Sequence, residues 1–203
     1  MEFWNSDLTT QSWNAMQDLK TRGIPFIVIG GWAAYLWSRM HKSKDLDIVL
    51  RQVSDISILR DKFNLKKNDH LKKYEVKIGD IDIDIYLPFY SRLAIPTEDI
   101  SHYVSYVDGF CVVVPELLLI LKQGAELDRS HSVKGQKDRI DIVTLLCFAP
   151  IDAKLYFRMI KKYKLPYEKR LKEIIISFQD VKHLDMTVHD YAKKKKTLLE
   201  KYR

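Results

Sequence analysis

The segment that most constrains this chain is Phe26-Ile-Val-Ile-Gly30-Gly31-Trp32, followed after twelve residues by Asp45-Leu46-Asp47-Ile48-Val49-Leu50. A β-branched run enters a Gly-Gly turn, an apolar helix follows, and a second strand carries two carboxylates one residue apart. Side chains alternate faces along a strand, so Asp45 and Asp47 project to the same side, roughly 6.5–7 Å apart. Two like charges at that spacing repel by roughly 2–3 kcal/mol at an effective dielectric of about 20. A cation between them removes the repulsion. A hard divalent ion with oxygen ligands, Mg²⁺ or Mn²⁺, suits the pair, because such ions bridge protein carboxylates to substrate phosphates.

A third carboxylate comes from Lys72-Lys-Tyr-Glu-Val-Lys-Ile78, Gly79-Asp80, Ile81-Asp-Ile-Asp-Ile-Tyr-Leu87. This pattern predicts a hairpin with a two-residue Gly-Asp loop. Ile81, Ile83 and Ile85 then share one face, and Asp82, Asp84 and Tyr86 share the other. Either Asp82 or Asp84 can come alongside Asp45 and Asp47 on an adjacent strand. Three converging acids suit a two-metal phosphoryl displacement, with the ions about 3.5–4 Å apart.

With 203 residues, 46% of them apolar, the chain buries a core and is not a disordered segment. The longest apolar run, Cys111 to Leu121, is interrupted by Pro115 and Glu116 and is too short to span a bilayer. Met-Glu-Phe-Trp-Asn-Ser-Asp at the N-terminus has neither a basic leader nor an apolar core, so a cytoplasmic location is expected. Cys111 and Cys147, both in apolar contexts, read as reduced core residues. The net charge of +7 favours an anionic partner, nucleic acid or nucleotide. The excess gathers after Lys154 and includes Lys193-Lys-Lys-Lys196. That stretch is either a solvated helical surface or an RNA-facing one.

Periodicity places a helix over Thr9–Arg22, a strand over Phe26–Ile29, a helix over Trp32–Met40 and a strand over Leu46–Leu50. Another helix, capped by Ser54 or Asp55, runs to about Phe63, and after the hairpin comes a loop around Pro88–Pro96 and a strand over Phe110–Val114. Pro115 suits the first turn of a helix reaching about Leu127. Helices over Gly135–Phe148, Asp152–Tyr163, Tyr167–Phe178 and Thr187–Tyr202 complete the chain. The expected fold class is α/β (α+β), a small mixed sheet followed by an all-α half, with domains at 1–114 and 115–203.

Several residues have ordinary readings. Gly30 and Gly31 mark a tight turn, or let the backbone approach a triphosphate at a helix N-terminus. Lys122, in an otherwise apolar helix, can snorkel to the surface. Asp138 and Asp141, three apart, share a helix face, and Asp138 suits an early helical turn by virtue of the helix dipole. His131 reads as a loop residue.

Gly30-Gly31, the thirteen-residue spacer to Asp45-x-Asp47, and a later strand acid resemble the nucleotidyltransferase superfamily that includes DNA polymerase β. Val112-Val-Val-Pro115-Glu-Leu-Leu-Leu-Ile-Leu-Lys122, a spacer, and Lys137-Asp138-Arg139-Ile-Asp141-Ile-Val-Thr-Leu-Leu146 are similar to the helical half of one branch. That branch contains the nucleotidyltransferase toxins of type IV abortive-infection systems and their uncharacterised relatives. The resemblance covers about Phe26 to Leu146. It implies transfer of a nucleoside monophosphate from a nucleoside triphosphate (NTP) to a hydroxyl acceptor, an RNA such as tRNA or a protein, with release of pyrophosphate. It implies Asp45, Asp47 and Asp84 as metal ligands, Asp84 being preferred to Asp82 because it lies just before the apolar end of its strand. Gly30 and Gly31 would cradle the phosphates, Lys122 would contact them, and Asp138 would position Lys122 or the acceptor. The resemblance also admits a toxin held by an antitoxin protein. The alternative is a non-catalytic nucleotide- or RNA-binding module on the same fold.

Overall fold

In a computed structural model, residues 6–202 are described, so the leader reading of Met1 to Asn5 lies outside the described residues. The chain divides into two compact units, one ending at Val114 and one starting at Pro115.

The first unit opens with α1 (Ser6–Thr21), β1 (Phe26–Ile29), α2 (Gly30–Ser38) and β2 (Leu46–Leu50). It continues with α3 (Ile56–Lys62), β3 (Lys66–Asn68), β4 (Lys73–Ile78) and β5 (Ile81–Tyr86). The hairpin β6 (Val104–Val107) and β7 (Phe110–Val113) closes it. The strands form one mixed seven-stranded sheet in the order β3-β4-β5-β2-β1-β7-β6. Antiparallel β1–β2 and β4–β5 are joined through parallel β2–β5, in which Asp47 is opposite Asp84 and Ile48 opposite Ile85. On β5 the buried Ile81, Ile83 and Ile85 alternate with Asp82, Asp84 and Tyr86. Helix α1 contacts β5, and α2 contacts β1 and β2.

Two tryptophans fix α2. Trp32 is fully buried, donates from Nε1 to Ser12 Oγ at 2.7 Å and packs against Trp13 at 5.1 Å between ring centroids. Trp37 donates to the Val113 carbonyl at 2.8 Å. The indole N–H therefore finds an acceptor in each case, as a buried indole requires. After the helix, Arg39 takes a left-handed conformation (φ 63°) and forks onto both oxygens of Asp108 at 2.5 and 2.9 Å.

Two strands differ from expectation. β3, Lys66-Lys67-Asn68, has no apolar alternation because it is an edge strand, where lysines discourage further pairing. β6 pairs with β7 through Asp108-Gly109, both with positive φ (51° and 73°), the dipeptide that a two-residue hairpin turn favours. β2 also begins at Leu46, so Asp45 occupies the bend just before the strand.

The second unit consists of α4 (Pro115–Asp128), α5 (Val133–Phe148), α6 (Ala153–Lys162), α7 (Tyr167–Ser177) and α8 (Val188–Lys201). Helix α4 is its centre, in contact with α5, α6 and α7. It is buried nearly all round, including four polar residues, and each of these has a partner. Glu116 accepts from the Asp152 amide at 2.6 Å. Gln123 donates to the Tyr167 carbonyl and accepts from the Tyr156 hydroxyl, at 3.1 and 2.7 Å. Lys122 binds Asp141, and Glu126, with no exposed side-chain surface, takes both Arg139 (2.9 Å) and Arg170 (2.5 Å). Unpaired, any of these groups would carry its full desolvation penalty.

Burial pushes the Glu126 carboxyl up, but hydrogen bonds and charge from Arg170 and Arg139 outweigh it and hold the group below its usual 4.5. A carboxylate depressed in the folded state contributes stability above its unfolded value and loses it as pH falls through the folded value. Thermal melts at successive pH values are therefore expected to fall below about pH 4.5 for this reason. Glu126→Gln should be less stable at pH 7, with a flatter dependence, and the two curves should converge in acid. Parallel curves would remove Glu126 from the acid transition.

Candidate active site

The acid face of the sheet is built by register. Asp47 on β2 and Asp84 on β5 are direct partners across parallel strands, about 4.8 Å apart in the hydrogen-bonding direction. Glu75 on β4 is opposite Asp84 on its other side, so Glu75, Asp84 and Asp47 form a row across three strands. Asp45 is exposed in the bend that leads into β2. Asp82 is exposed, two residues down the strand and opposite Lys77. The Asp84 carboxyl is pushed above the usual carboxylate range, first by burial, against the pull of Lys73, and further by the charges of Glu75 and Asp45.

The Gly-Gly pair has a geometric cause. Gly30 has φ +66°, and a Cβ there would stand 2.7 Å from Asp47 Cγ and 2.8 Å from Asp47 Cβ. The Asp47 carboxylate thus lies directly against the Gly30 backbone. A Cβ at Gly31 would meet Ser43 Oγ at 2.6 Å, and Ser43 is itself buried. The glycines let the loop before β2 fold onto the start of α2. The N-cap of α2 is Ile29, which has no side-chain acceptor for the first amides of the helix.

Lys73, at the start of β4, was not singled out by the sequence. Its side chain is 13% exposed, and its ammonium is 2.6 Å from Asp84 Oδ2 and 3.2 Å from Glu75 Oε1. Glu75 is anchored in turn by Asn68 Nδ2 at 2.9 Å. The contact lies within the β4–β5 hairpin, where the register puts Glu75, not Lys73, opposite Asp84, and Lys73 reaches the acid diagonally.

Among the described residues, no group of three or more His, Cys, Asp or Glu side chains is gathered tightly enough to hold a metal ion by itself. The donor set nevertheless fits a hard cation such as Mg²⁺. That ion binds through one or two carboxylates and completes its shell with water and substrate phosphates, without an all-protein cage.

In the helical unit, Lys122 does not snorkel. It is 8% exposed, with its ammonium 2.6 Å from Asp141 Oδ2 and 3.5 Å from Asp138 Oδ1. Asp138 also accepts from Arg129 Nε at 2.7 Å. Asp138 is the sixth residue of α5, beyond its first turn, so the helix dipole does not account for it. Asp141 is the nearer partner of Lys122. His131 and Lys134 are exposed around the start of α5.

The Lys193–Lys196 run is not uniformly solvated. Lys195 donates to the Ile176 carbonyl at 2.9 Å and lies 5.6 Å from the Tyr191 ring centroid, tying α8 to α7. A groove of about 830 Å³ has an apolar floor that includes Phe157, Ile160 and Leu165, and carries Lys161, Lys164, Lys169 and Lys172, the last paired with Glu168 at 2.8 Å. Cys111 and Cys147 are both free thiols, and burial pushes Cys147 up to about 11. No helix among the described residues is long and apolar enough to cross a membrane.

No protein-family model matches the sequence, and no curated protein matches it. Solved structures do share its architecture. JHP933 from Helicobacter pylori is similar over 98% of this chain and 93% of its own, with 16% identity and a TM-score of 0.53. ANT(2")-Ia in complex with adenylyl-2"-tobramycin is similar over 80% of this chain and 99% of its own, with 12% identity and a TM-score of 0.52. The Megavirus polyadenylate synthase is similar over 82% of this chain and 39% of its own, with 17% identity and a TM-score of 0.50. At these identities the likeness is one of fold.

Proposed function

We propose that this chain, which has the α/β fold of the polymerase β-like nucleotidyltransferases, is a metal-dependent nucleotidyltransferase acting on an RNA hydroxyl. The observation that carries the reading is the Asp47 carboxylate against Gly30 and in register with Asp84. Carboxylates on adjacent strands beside a Gly-Gly turn support a reading as phosphoryl transfer, in which acids hold divalent ions next to a backbone that a phosphate can approach.

Asp45 and Asp47 would hold the divalent ions, with Asp84 as the third carboxylate on the acceptor side. When bound, the ions supply positive charge at the attacking and leaving oxygens of an in-line displacement. The first amides of α2, with no side-chain acceptor at Ile29, would take phosphate oxygens. Asp84, its carboxyl raised by burial, would accept the proton of the acceptor hydroxyl. The acceptor oxygen–phosphorus bond forms, the bond between the α- and β-phosphates breaks, and pyrophosphate leaves. Positioning and charge carry the catalysis, without a covalent nucleophile. Lys122, held by Asp141, would contact the nucleotide phosphates, and Asp138, held by Arg129, would position Lys122 or the acceptor. The toxin role, with an antitoxin partner, and a cytoplasmic site of action rest on the sequence resemblance and composition alone.

ANT(2")-Ia and the polyadenylate synthase have different acceptors, as their names state, so fold does not choose one. The groove between α6 and α7 carries four lysines against one acid, Glu168, and that excess of positive charge favours a polyanion. Incubation with Mg²⁺, α-labelled NTP, total RNA and total protein is expected to label RNA. Label on protein alone would replace the acceptor class, and no label with retained triphosphate binding would favour the non-catalytic module. Replacing Lys161, Lys164, Lys169 and Lys172 by Gln should weaken RNA binding and flatten its salt dependence. Each lost phosphate contact should reduce the log–log slope by about 0.7–0.9. Triphosphate binding should be unchanged.

A further inference from the structure

Lys73 is the feature of the acid face that phosphoryl transfer does not require. Its ammonium occupies an oxygen of Asp84, the acid whose strand partner is Asp47. A divalent ion shared with Asp84 would meet a positive charge at the same carboxylate, and two cations that close repel strongly. Lys73 already has a second partner. Glu75 Oε1 is 3.2 Å from the same ammonium and is held in place by Asn68. The ammonium therefore bridges the two carboxylates, and a small swing of a flexible four-carbon side chain gives up Asp84 and leaves the charge on Glu75 alone.

Building on the nucleotidyl-transfer reading, we propose that Lys73 is the resident counter-ion of Asp84 and that divalent ions loading onto Asp45, Asp47 and Asp84 break its Asp84 contact and leave it paired with Glu75 alone. With the centre empty, Lys73 holds the Asp84 carboxylate in place and offsets the repulsion along the row. As an ion arrives, the ammonium retreats by one carboxylate. Lys73 is thus a positioning residue that sets ion affinity, and Glu75 is the partner that retains it.

The test is Mn²⁺ binding to the full chain, followed by the electron paramagnetic resonance of the free ion, with and without a non-hydrolysable triphosphate. Lys73→Met and Lys73→Gln remove the competing charge and should each bind Mn²⁺ about tenfold tighter than wild type, or more. Lys73→Arg should restore the wild-type value. Glu75→Gln removes the partner that retains Lys73 and should weaken binding several-fold. In the Lys73→Met background, Glu75→Gln should have little further effect, whereas a simple loss of nearby negative charge would persist there. Lys73→Gln keeps a hydrogen-bonding group at the site if the apolar variant does not fold, and thermal melts verify each protein. Folded Lys73 variants with unchanged or weaker Mn²⁺ binding would overturn the inference and leave the nucleotidyl-transfer reading intact. Absence of Mn²⁺ binding in wild type and variants alike would remove both.

Discussion

Asp45→Asn combined with Asp47→Asn is expected to abolish Mg²⁺-dependent label transfer by at least about a thousandfold, leaving the melting temperature close to wild type. A thousandfold loss corresponds to about 4 kcal/mol of transition-state stabilisation, within what metal-borne charge supplies at a transferring phosphoryl group. The fold should survive for two reasons. Asn is nearly isosteric with Asp, so the side chain of residue 47 still fits against Gly30. Neutralising acids also relieves the repulsion that helps push the Asp84 carboxyl up. Transfer rate and thermal unfolding, measured on one preparation, separate the two effects. A double variant that transfers label at the wild-type rate would remove the acid face as the reaction centre.

Gly30→Ala should damage stability and activity together, and Gly79→Ala is its control. Both glycines have positive φ, +66° and +59°, so each substitution costs about 1–2 kcal/mol in backbone strain. Nothing lies within 4 Å of a Cβ at Gly79, so that variant should lose no more than the strain and remain active. At Gly30 the new Cβ would collide with the Asp47 side chain, which must shift or push β2 aside. The expected destabilisation is about 3 kcal/mol or more, in the range of overpacked cores, with transfer lost along with the Asp47 position. Adding Asp47→Gly should recover part of the stability and none of the activity. Equal melting temperatures for Gly30→Ala and Gly79→Ala would contradict the collision.

The central strands were legible because their side chains obey simple alternation. β-branched β1, the Ile-Asp-Ile-Asp run of β5 and the two-residue turn at Gly79-Asp80 all follow short-range rules, and α4 starts at Pro115 as expected. β3 was missed because an edge strand of lysines looks like a solvated loop. β6 was missed although Asp108-Gly109 announced its turn. Within the candidate site, the spacing of Asp45 and Asp47 is visible in one dimension. The approach of Ser43 to Gly31 depends on how the loop before β2 folds onto α2, and Lys73 reaches Asp84 diagonally across the predicted hairpin, where the register alone points to Glu75. Lys122 illustrates the same limit. Its helix is plain from the sequence, but its partner Asp141 lies on another helix, and only packing decides that a lysine stays inside.

The parallel pairing of β2 with β5 has a consequence for how the molecule assembles. The β4–β5 hairpin is local in sequence and can close within microseconds, whereas joining β5 to β2 requires a long loop to close first. The hairpin alone contains Lys73, Glu75 and Asp84, so Asp84 has its counter-charge before Asp47 arrives beside it. The two acids are thus brought together late, by a strand whose charge has already been offset, and the like-charge barrier to that docking step is lowered.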